Sequence, residues 1–364
     1  MKVAIISGPY LPIPPIRYGG TEQVIFNLIK GLKELGHEPI LFGTGDSEVD
    51  CEVVEIAPKS LTFPKTVSEW RGIEIEGNKI MKNAKKLLRS MLGGIDIIHS
   101  HGVDLTDFQD FPNITTLHGR IDFEEFDYFQ KRKNLYYASI SKNQQKTFKG
   151  LKYAGVAYNG LDYMLFPVVL EPEDYLCFLG RFDGEKNPHL AIKLAIKLGM
   201  KIKLGGKIDF QGSEYFDKEV KPFLNHPLVE FLGELNFQEK VELISNAKCN
   251  LHPISFREPF GLSVLESAYC GTPTLAIARG SMSELIEEGR TGILVEDFVE
   301  GFHKIEACFE MDRMYIAQRS RFLFNHQSMT KQYLRAYENV IGDFKNVGKN
   351  LEQLEEAEKL WEKT

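Results

Sequence analysis

The sequence predicts an α/β protein built from two doubly wound, Rossmann-like domains, each around a parallel sheet. Three observations carry that prediction. The chain has 364 residues, more than one ordinary core holds and enough for two. Short β-branched runs alternate with longer amphipathic segments, the signature of strand–helix–strand units with right-handed crossovers. The alternation then starts afresh near YNGLD at 158–162, which places a boundary near residue 160.

Each element follows from a local pattern. KVAIIS near the start reads as a buried strand and leads into the Pro-rich loop GPYLPIPPIRYGG. The stretch Thr21–Leu35 sets Val24, Leu28, Leu32 and Leu35 at helical spacing and closes on Gly36. EPILFGT, DIIHSHG, NITTLHG and YYASIS read as further strands of the first unit. YLCFLGR, KIKLGGK, VEFLGE, CNLHPIS, TPTLAIA and GILVED supply the second. Segment 79–92, KIMKNAKKLLRSML, concentrates five basic residues on an amphipathic helix. It reads as packing on its sheet through Ile80, Ala84, Leu87, Leu88 and Met91, with weak peripheral contact to an anionic membrane surface as the alternative. From Met329 onward the chain is charged and helical in pattern.

Composition narrows the class. Hydrophobic content of 43% and charged content of 26% are those of a soluble globular protein. A net charge of −7 argues against a general nucleic-acid binder, since nothing offsets phosphate repulsion. Five cysteines lie scattered without a CxxC pair, which suits free thiols in a reducing compartment. No apolar run has the length of a membrane span, and the N-terminus enters its first strand without a signal-peptide pattern. The expectation is a cytoplasmic enzyme.

In open parallel sheets, ligands bind beyond the carboxyl ends of the strands, and three loops there carry readable chemistry. In Tyr18-Gly19-Gly20-Thr21-Glu22, glycines at a helix start let backbone N–H groups approach an anion; plain turn glycines are the other reading. No GxGxxG follows the first strand. In Gly180–Lys186, Arg181 and Lys186 could clamp a diphosphate, or the loop is a solvated charged turn. The third loop is FREPFGLSVLE. Its Gly261, Leu262 and Ser263 open a helix whose first N–H groups lack internal partners. Glu258 stands just outside that helix and Glu266 about one turn inside, and an ionised carboxylate only accepts hydrogen bonds. Two carboxylates bracketing an anion-binding helix end suit a ligand with hydroxyls at both ends and phosphates between, as in a nucleotide sugar.

On these motifs the chain resembles the retaining glycosyltransferases of family 4, which have the GT-B architecture: two doubly wound Rossmann-like domains facing an interdomain cleft. EPFGLSVLESAYCGTPTLA looks like the family's E-x7-E motif. GGTEQV, TLHG at 116–119, YNGLD, GRFDGEK, FLGEL and TGILVED fall in family order along essentially the whole chain. The resemblance implies an acceptor-side domain over 1–160, a nucleotide-sugar-binding domain over 161–323, and C-terminal helices over 324–364 that return to the N-terminal domain. It implies catalytic roles for His118, at the donor sugar, for Arg181 and Lys186, on the diphosphate, and for Glu258, near the reacting centre. It implies donor binding by Gly19, Gly20, Gly233, Leu235, Phe260, Gly261, Leu262 and Glu266, with Gly233 and Leu235 at the base and Glu266 on the ribose. One departure is Asn187 after Lys186, where glycine is frequent.

The expected substrates are a nucleotide-diphospho-sugar donor, a UDP-sugar before a GDP-sugar, and a hydroxyl-bearing acceptor, with no cofactor and no metal. No two aspartates are separated by one residue, so the DxD metal signature of the other main transferase fold is absent and cationic side chains and helix dipoles must meet the diphosphate. His99 and His101 in HSH stay open between a metal pair, acceptor contact and strand-end packing. Ser141 reads as an N-cap, and Asn159 as a stabiliser of the interdomain turn, with ligand contact as its alternative. Acceptor choice is assigned to loops 8–19 and 102–112, with the aromatic-rich segment 122–137 either lining that side or packing. The competing readings are a GT-B sugar-nucleotide epimerase, a phosphorylase-like enzyme and a non-catalytic nucleotide-sugar binder. A pure binder could dispense with some of His118, Arg181, Lys186 and Glu258.

Overall fold

The computed structural model describes residues 1–61, 66–119, 132, 134–208 and 212–361. The first sheet holds seven strands: β1 (Lys2–Ser7), β2 (Glu38–Thr44), β3 (Glu52–Ala57), β4 (Ile97–His101), β5 (Asn113–Thr116), β6 (Tyr137–Ser139) and β7 (Tyr153–Val156). The second holds six: β8 (Tyr175–Leu179), β9 (Lys201–Gly205), β10 (Val229–Gly233), β11 (Cys249–His252), β12 (Thr274–Ile277) and β13 (Gly292–Val295). Their spatial orders are β3-β2-β1-β4-β5-β6-β7 and β10-β9-β8-β11-β12-β13, parallel throughout. Counted from its own first strand, each sheet therefore begins 3-2-1-4-5-6, the doubly wound order whose crevice lies between strands 1 and 4.

Burial explains why the strands read as continuous apolar runs. Val3, Ala4, Ile5 and Ile6 of β1 are fully buried, because helices cover both faces of the sheet. Two strands escape the sequence reading. β3, EVVEIA, is an edge strand only partly buried, and β7, YAGV, is short and partly buried along its length. The helix over 79–92 begins much earlier, spanning Val67–Met91, with Thr66 capping it by accepting from the Glu69 N–H. Ala84 and Leu88 bury as expected, but Leu87 is exposed: it lies about 100° round the helix from Leu88 and misses the sheet. Of the five basic residues there, Lys85 and Arg89 turn onto Asp104, Asp107 and Asp110 of the neighbouring loop. No helix among the described residues is long and apolar enough to cross a membrane.

The chain crosses between the sheets twice, side by side. Leu161 bridges to Asn325, and its N–H donates to the Tyr269 hydroxyl. The final helix, His326–Trp361, lies against the Gly20–Glu34 helix and β7. His326 reaches Glu34 at 2.9 Å, and Tyr333 and Tyr337 bury beside His99. Tyr158, Phe260 and Phe324 meet edge to face or tilted where the crossings pass the cleft floor. Most of the segment 122–137, residues 122–131 and 133, lies outside the described residues; Tyr136 and Tyr137 at its end are buried.

Candidate active site in the interdomain cleft

A cavity of about 520 Å³ opens between the carboxyl ends of the two sheets. That volume is in the range of small-molecule sites. His118, Gly19 and Gly20 line it from the first half; Arg181, Lys186, Leu235, Glu258, Phe260, Gly261, Leu262 and Glu266 line it from the second. Gly233 does not. Its carbonyl oxygen accepts from the Gly206 N–H at 2.7 Å, and its φ of 72° swings the chain so that Glu234, Leu235 and Asn236 reach the cavity instead.

Two helix starts face each other across this space. The Gly20–Glu34 and Leu262–Tyr269 helices both lack a side-chain N-cap, so the N–H groups of Gly20, Thr21, Leu262 and Ser263 have no hydrogen bond among the described residues and stand open to a ligand. They approach closely: a Cβ on Gly20 would sit 3.0 Å from Leu262 Cδ1. Gly261 has φ of 99°, and a Cβ there would meet Met282 Cε at 2.7 Å. Only glycine satisfies both the left-handed backbone and the contact. Asn187, the departure from the family pattern, also takes a left-handed φ of 50°, a conformation asparagine tolerates. Its amide donates to Pro253 O at 3.2 Å and Ser255 Oγ at 3.0 Å, anchoring the Arg181–Lys186 loop to the strand end next door.

The predicted charges are already paired. Lys186 Nζ donates to Glu258 in a tight ion pair with both side chains largely buried. Arg181 lies 3.3 Å from Asp183 and 3.6 Å from Glu185. Glu266, 5% exposed, accepts from Lys240 at 2.5 Å through Oε1. This modifies the expectation of a free bidentate carboxylate, because one oxygen is engaged and Oε2 has no hydrogen bond among the described residues. Lys240 went unnoticed in the sequence. It sits 26 residues before Glu266, in the Phe237–Ser245 helix, and no local pattern links the two.

The first half lines the cavity with Arg17 and Glu22 but brings a neutral histidine cluster where the second half has ion pairs. His118 Nε2 and His101 Nδ1 lie 2.7 Å apart, and the His99 and His101 ring centroids are separated by 4.2 Å. Burial pushes the His118 pKa down to about 4 and those of His99 and His101 well below the ordinary value. His99 is satisfied by Tyr337 and Thr116 at 2.7 Å each, so it packs rather than ligates. Among the described residues no group of three His, Cys, Asp or Glu could hold a metal ion. Ser141 accepts from the Gln144 N–H and caps its helix, while Asn159 lines the cavity with its Oδ1 buried and without a hydrogen-bond partner among the described residues. Of the two loops assigned to acceptor choice, 8–19 reaches the cavity through Tyr10, Leu11, Pro15 and Arg17, whereas 102–112 does not line it.

Known proteins match this arrangement. The model for Glycosyltransferase Family 4 covers residues 18–153, and that for Glycosyl transferases group 1 covers residues 167–317. A glycogen synthase of Mycobacterium tuberculosis is 24% identical over 347 residues, covering 80% of this chain and 82% of its own. An uncharacterised glycosyltransferase of Methanocaldococcus jannaschii is 28% identical over 315 residues, covering 78% and 83%. Sucrose-phosphate synthase from Thermosynechococcus elongatus superposes with a TM-score of 0.76 at 19% identity, over 94% of this chain and 100% of that one. Anabaena HepE, solved in complex with UDP and glucose, gives a TM-score of 0.70 at 16% identity over 93% and 99%. With one family model on each sheet and full-length structural likeness around one cleft, the chain belongs to the glycosyltransferases of GT-B architecture.

Proposed function

We propose that this protein transfers a sugar, with retention of anomeric configuration and without a metal, from a nucleotide-diphospho-sugar to an acceptor hydroxyl. A UDP-sugar is the favoured donor and a GDP-sugar the alternative. One observation carries the reading: two uncapped helix starts, the Arg181–Lys186 cation loop and the Glu258 and Glu266 carboxylates converge on a single cavity. A diphosphate entering there takes over Lys186 from Glu258 and lies between the two helix ends, so its developing charge as a leaving group is met by groups already in place. Glu258, released from Lys186, then faces the donor sugar, where positive charge grows as the bond to the diphosphate breaks. His118 stays uncharged at neutral pH and serves by hydrogen bonding rather than as a cation. The acceptor hydroxyl attacks on the face the diphosphate leaves, and its proton passes to the departing diphosphate oxygen. The UDP preference is supported by HepE, whose structure contains UDP.

The test is calorimetric titration with UDP, GDP and ADP, followed by turnover of the matching sugar nucleotides in excess EDTA. Activity should survive chelation; loss of turnover restored by a divalent cation would overturn the metal-free mechanism. Glu266→Ala should raise KM and spare turnover, because ribose contacts are alike in ground and transition states. Hydrogen bonds to a carboxylate are worth about 1.5–3 kcal/mol each, so donor binding should weaken on the order of tenfold to a hundredfold. Unchanged nucleotide affinity in that variant would remove the ribose role.

A further inference from the structure

A single carboxylate joins the two halves of the cleft. Glu284 belongs to the short Met282–Leu285 helix of the second half. Its Oε1 accepts from the Asn143 N–H at 2.7 Å, and its Oε2 accepts from the Lys142 N–H at 2.9 Å and the Tyr158 hydroxyl at 2.6 Å. All three donors come from the first half or its last connection.

What lies on either side of this contact gives it meaning. On the donor side, Ser281 directly precedes that helix. Its N–H donates to Glu258 O at 3.0 Å, its hydroxyl lies 2.5 Å from Phe260 O and 3.1 Å from Glu258 O, and Met282 packs against Gly261. The loop Glu258–Gly261 is therefore held by the same few residues that carry Glu284. On the other side, Lys142 and Asn143 are followed by Gln144. Its side-chain amide donates to Leu117 O at 2.8 Å and Gly119 O at 3.4 Å, fixing the backbone on both sides of His118. The Tyr158 ring rests near Phe260, so the third donor also abuts the donor loop.

We propose that Glu284 is a positioning residue that sets the registry of His118 against Glu258 and the donor loop across the closed cleft. It touches no reacting atom; it acts through Ser281 on one side and Gln144 on the other. The carboxylate is the one acceptor shape that serves three donors arranged around two oxygens. The proposal rests on the glycosyltransferase reading for its catalytic consequence, but the clasp itself does not.

The experiment uses the full chain with Glu284→Ala, Glu284→Gln and Tyr158→Phe. Glu284→Ala should lower kcat on the order of a hundredfold, as a displacement of about 1 Å between reacting groups does. UDP affinity by calorimetry should stay within about threefold of wild type, since the donor half remains whole. Glu284→Gln should fall between Glu284→Ala and wild type, and Tyr158→Phe should lose about threefold to tenfold, having given up one hydrogen bond of three. Amide hydrogen exchange at 115–119 and 140–147 should speed up in both Glu284 variants, a readout that needs no donor. Unchanged kcat overturns the proposal, and so does loss of UDP binding in parallel with kcat, which would make Glu284 a support of the donor half alone. If Glu284→Ala does not fold, Tyr158→Phe decides by the same two measurements. If wild type binds no nucleoside diphosphate, the transferase reading fails while exchange still judges the clasp, and unaltered protection there overturns it.

Discussion

The two halves share one strand order, yet they offer the cleft opposite chemistry. The second half presents ion pairs, Lys186 with Glu258 and Lys240 with Glu266, each holding a carboxylate ready beside a cation. The first half presents His118 backed by His101 and His99, all kept neutral by burial. Even equivalent positions show the contrast. The fourth strand of each sheet ends in a buried histidine, His101 and His252, with Nε2 lacking a partner among the described residues. His101 stacks on His118 at a centroid distance of 5.0 Å, whereas His252 lies near enough to Lys186 for the ammonium to help hold its pKa down, after burial. A common scaffold thus places ion pairs on one wall of the cleft and a neutral histidine cluster on the other.

The contrast breaks first at Lys186. Lys186→Ala removes the buried cation and leaves Glu258 uncompensated beside the incoming diphosphate, so turnover should fall about 10²–10³-fold, as when a preorganised electrostatic group is deleted. Adding Glu258→Gln should cost much less than a second full loss, because the two act as a unit. On the first half, His118→Asn should lower turnover less than Lys186→Ala does. Steady-state kinetics on Lys186→Ala, Glu258→Gln, their double variant and His118→Asn decides. A His118 defect larger than the Lys186 defect would reverse the division of labour.

How much of this could be read in advance also differs between the halves. The second-half residues that line the cavity were legible because strand-end loops leave local marks: a glycine before a helix, cations on the loop, and a glutamate inside the following turn. Lys240 was not, since it meets Glu266 only once two separate helices pack. The strands at sheet centres were legible from their apolar runs, while β3 and β7 were lost because partial burial breaks that signal. His99 and His101 were seen as a pair but not explained. His99 meets Tyr337 and Tyr333 of the last helix, more than two hundred residues away, and His101 meets His118 on the next strand's end. Glu284 gave no sign at all, because its three donors lie beyond the domain boundary.

Acid should expose the first half next. In the unfolded chain these histidines take up protons below their ordinary value of 6.5, whereas folded His118 resists until about 4. Stability from this cluster is therefore complete above 6.5 and is lost as the pH falls through 6.5 toward 4. His99 of β4 packs its ring on Tyr337 of the final helix, so protection should fail first there and at β4–β5. Hydrogen exchange corrected for intrinsic rates at pH 7 and pH 5 would show it. Equal loss of protection in the second sheet would mean that the histidines are not the weak point.

The smallest effect concerns Glu22, a carboxylate on the first half where the second half has cations. Burial raises its pKa, the hydrogen bond from its own backbone lowers it by less, and no cation pairs with it among the described residues. A raised carboxyl favours folding below its ordinary value of 4.5, where both states hold the proton, and loses that advantage as the pH climbs through the folded value. At pH 7.5 the ionised group is then a mild liability, and Glu22→Gln keeps its shape without its charge. The variant should melt about 1–3 °C higher at pH 7.5, corresponding to less than about 1 kcal/mol, and show no gain at pH 4. It should also bind UDP a few-fold more tightly, because a carboxylate in the first turn of the Gly20–Glu34 helix opposes an approaching phosphate. A variant that melts lower at pH 7.5 and binds UDP more weakly would give Glu22 a different part. It would then be an acceptor for ligand hydroxyls, and the first half would share the carboxylate chemistry of the second.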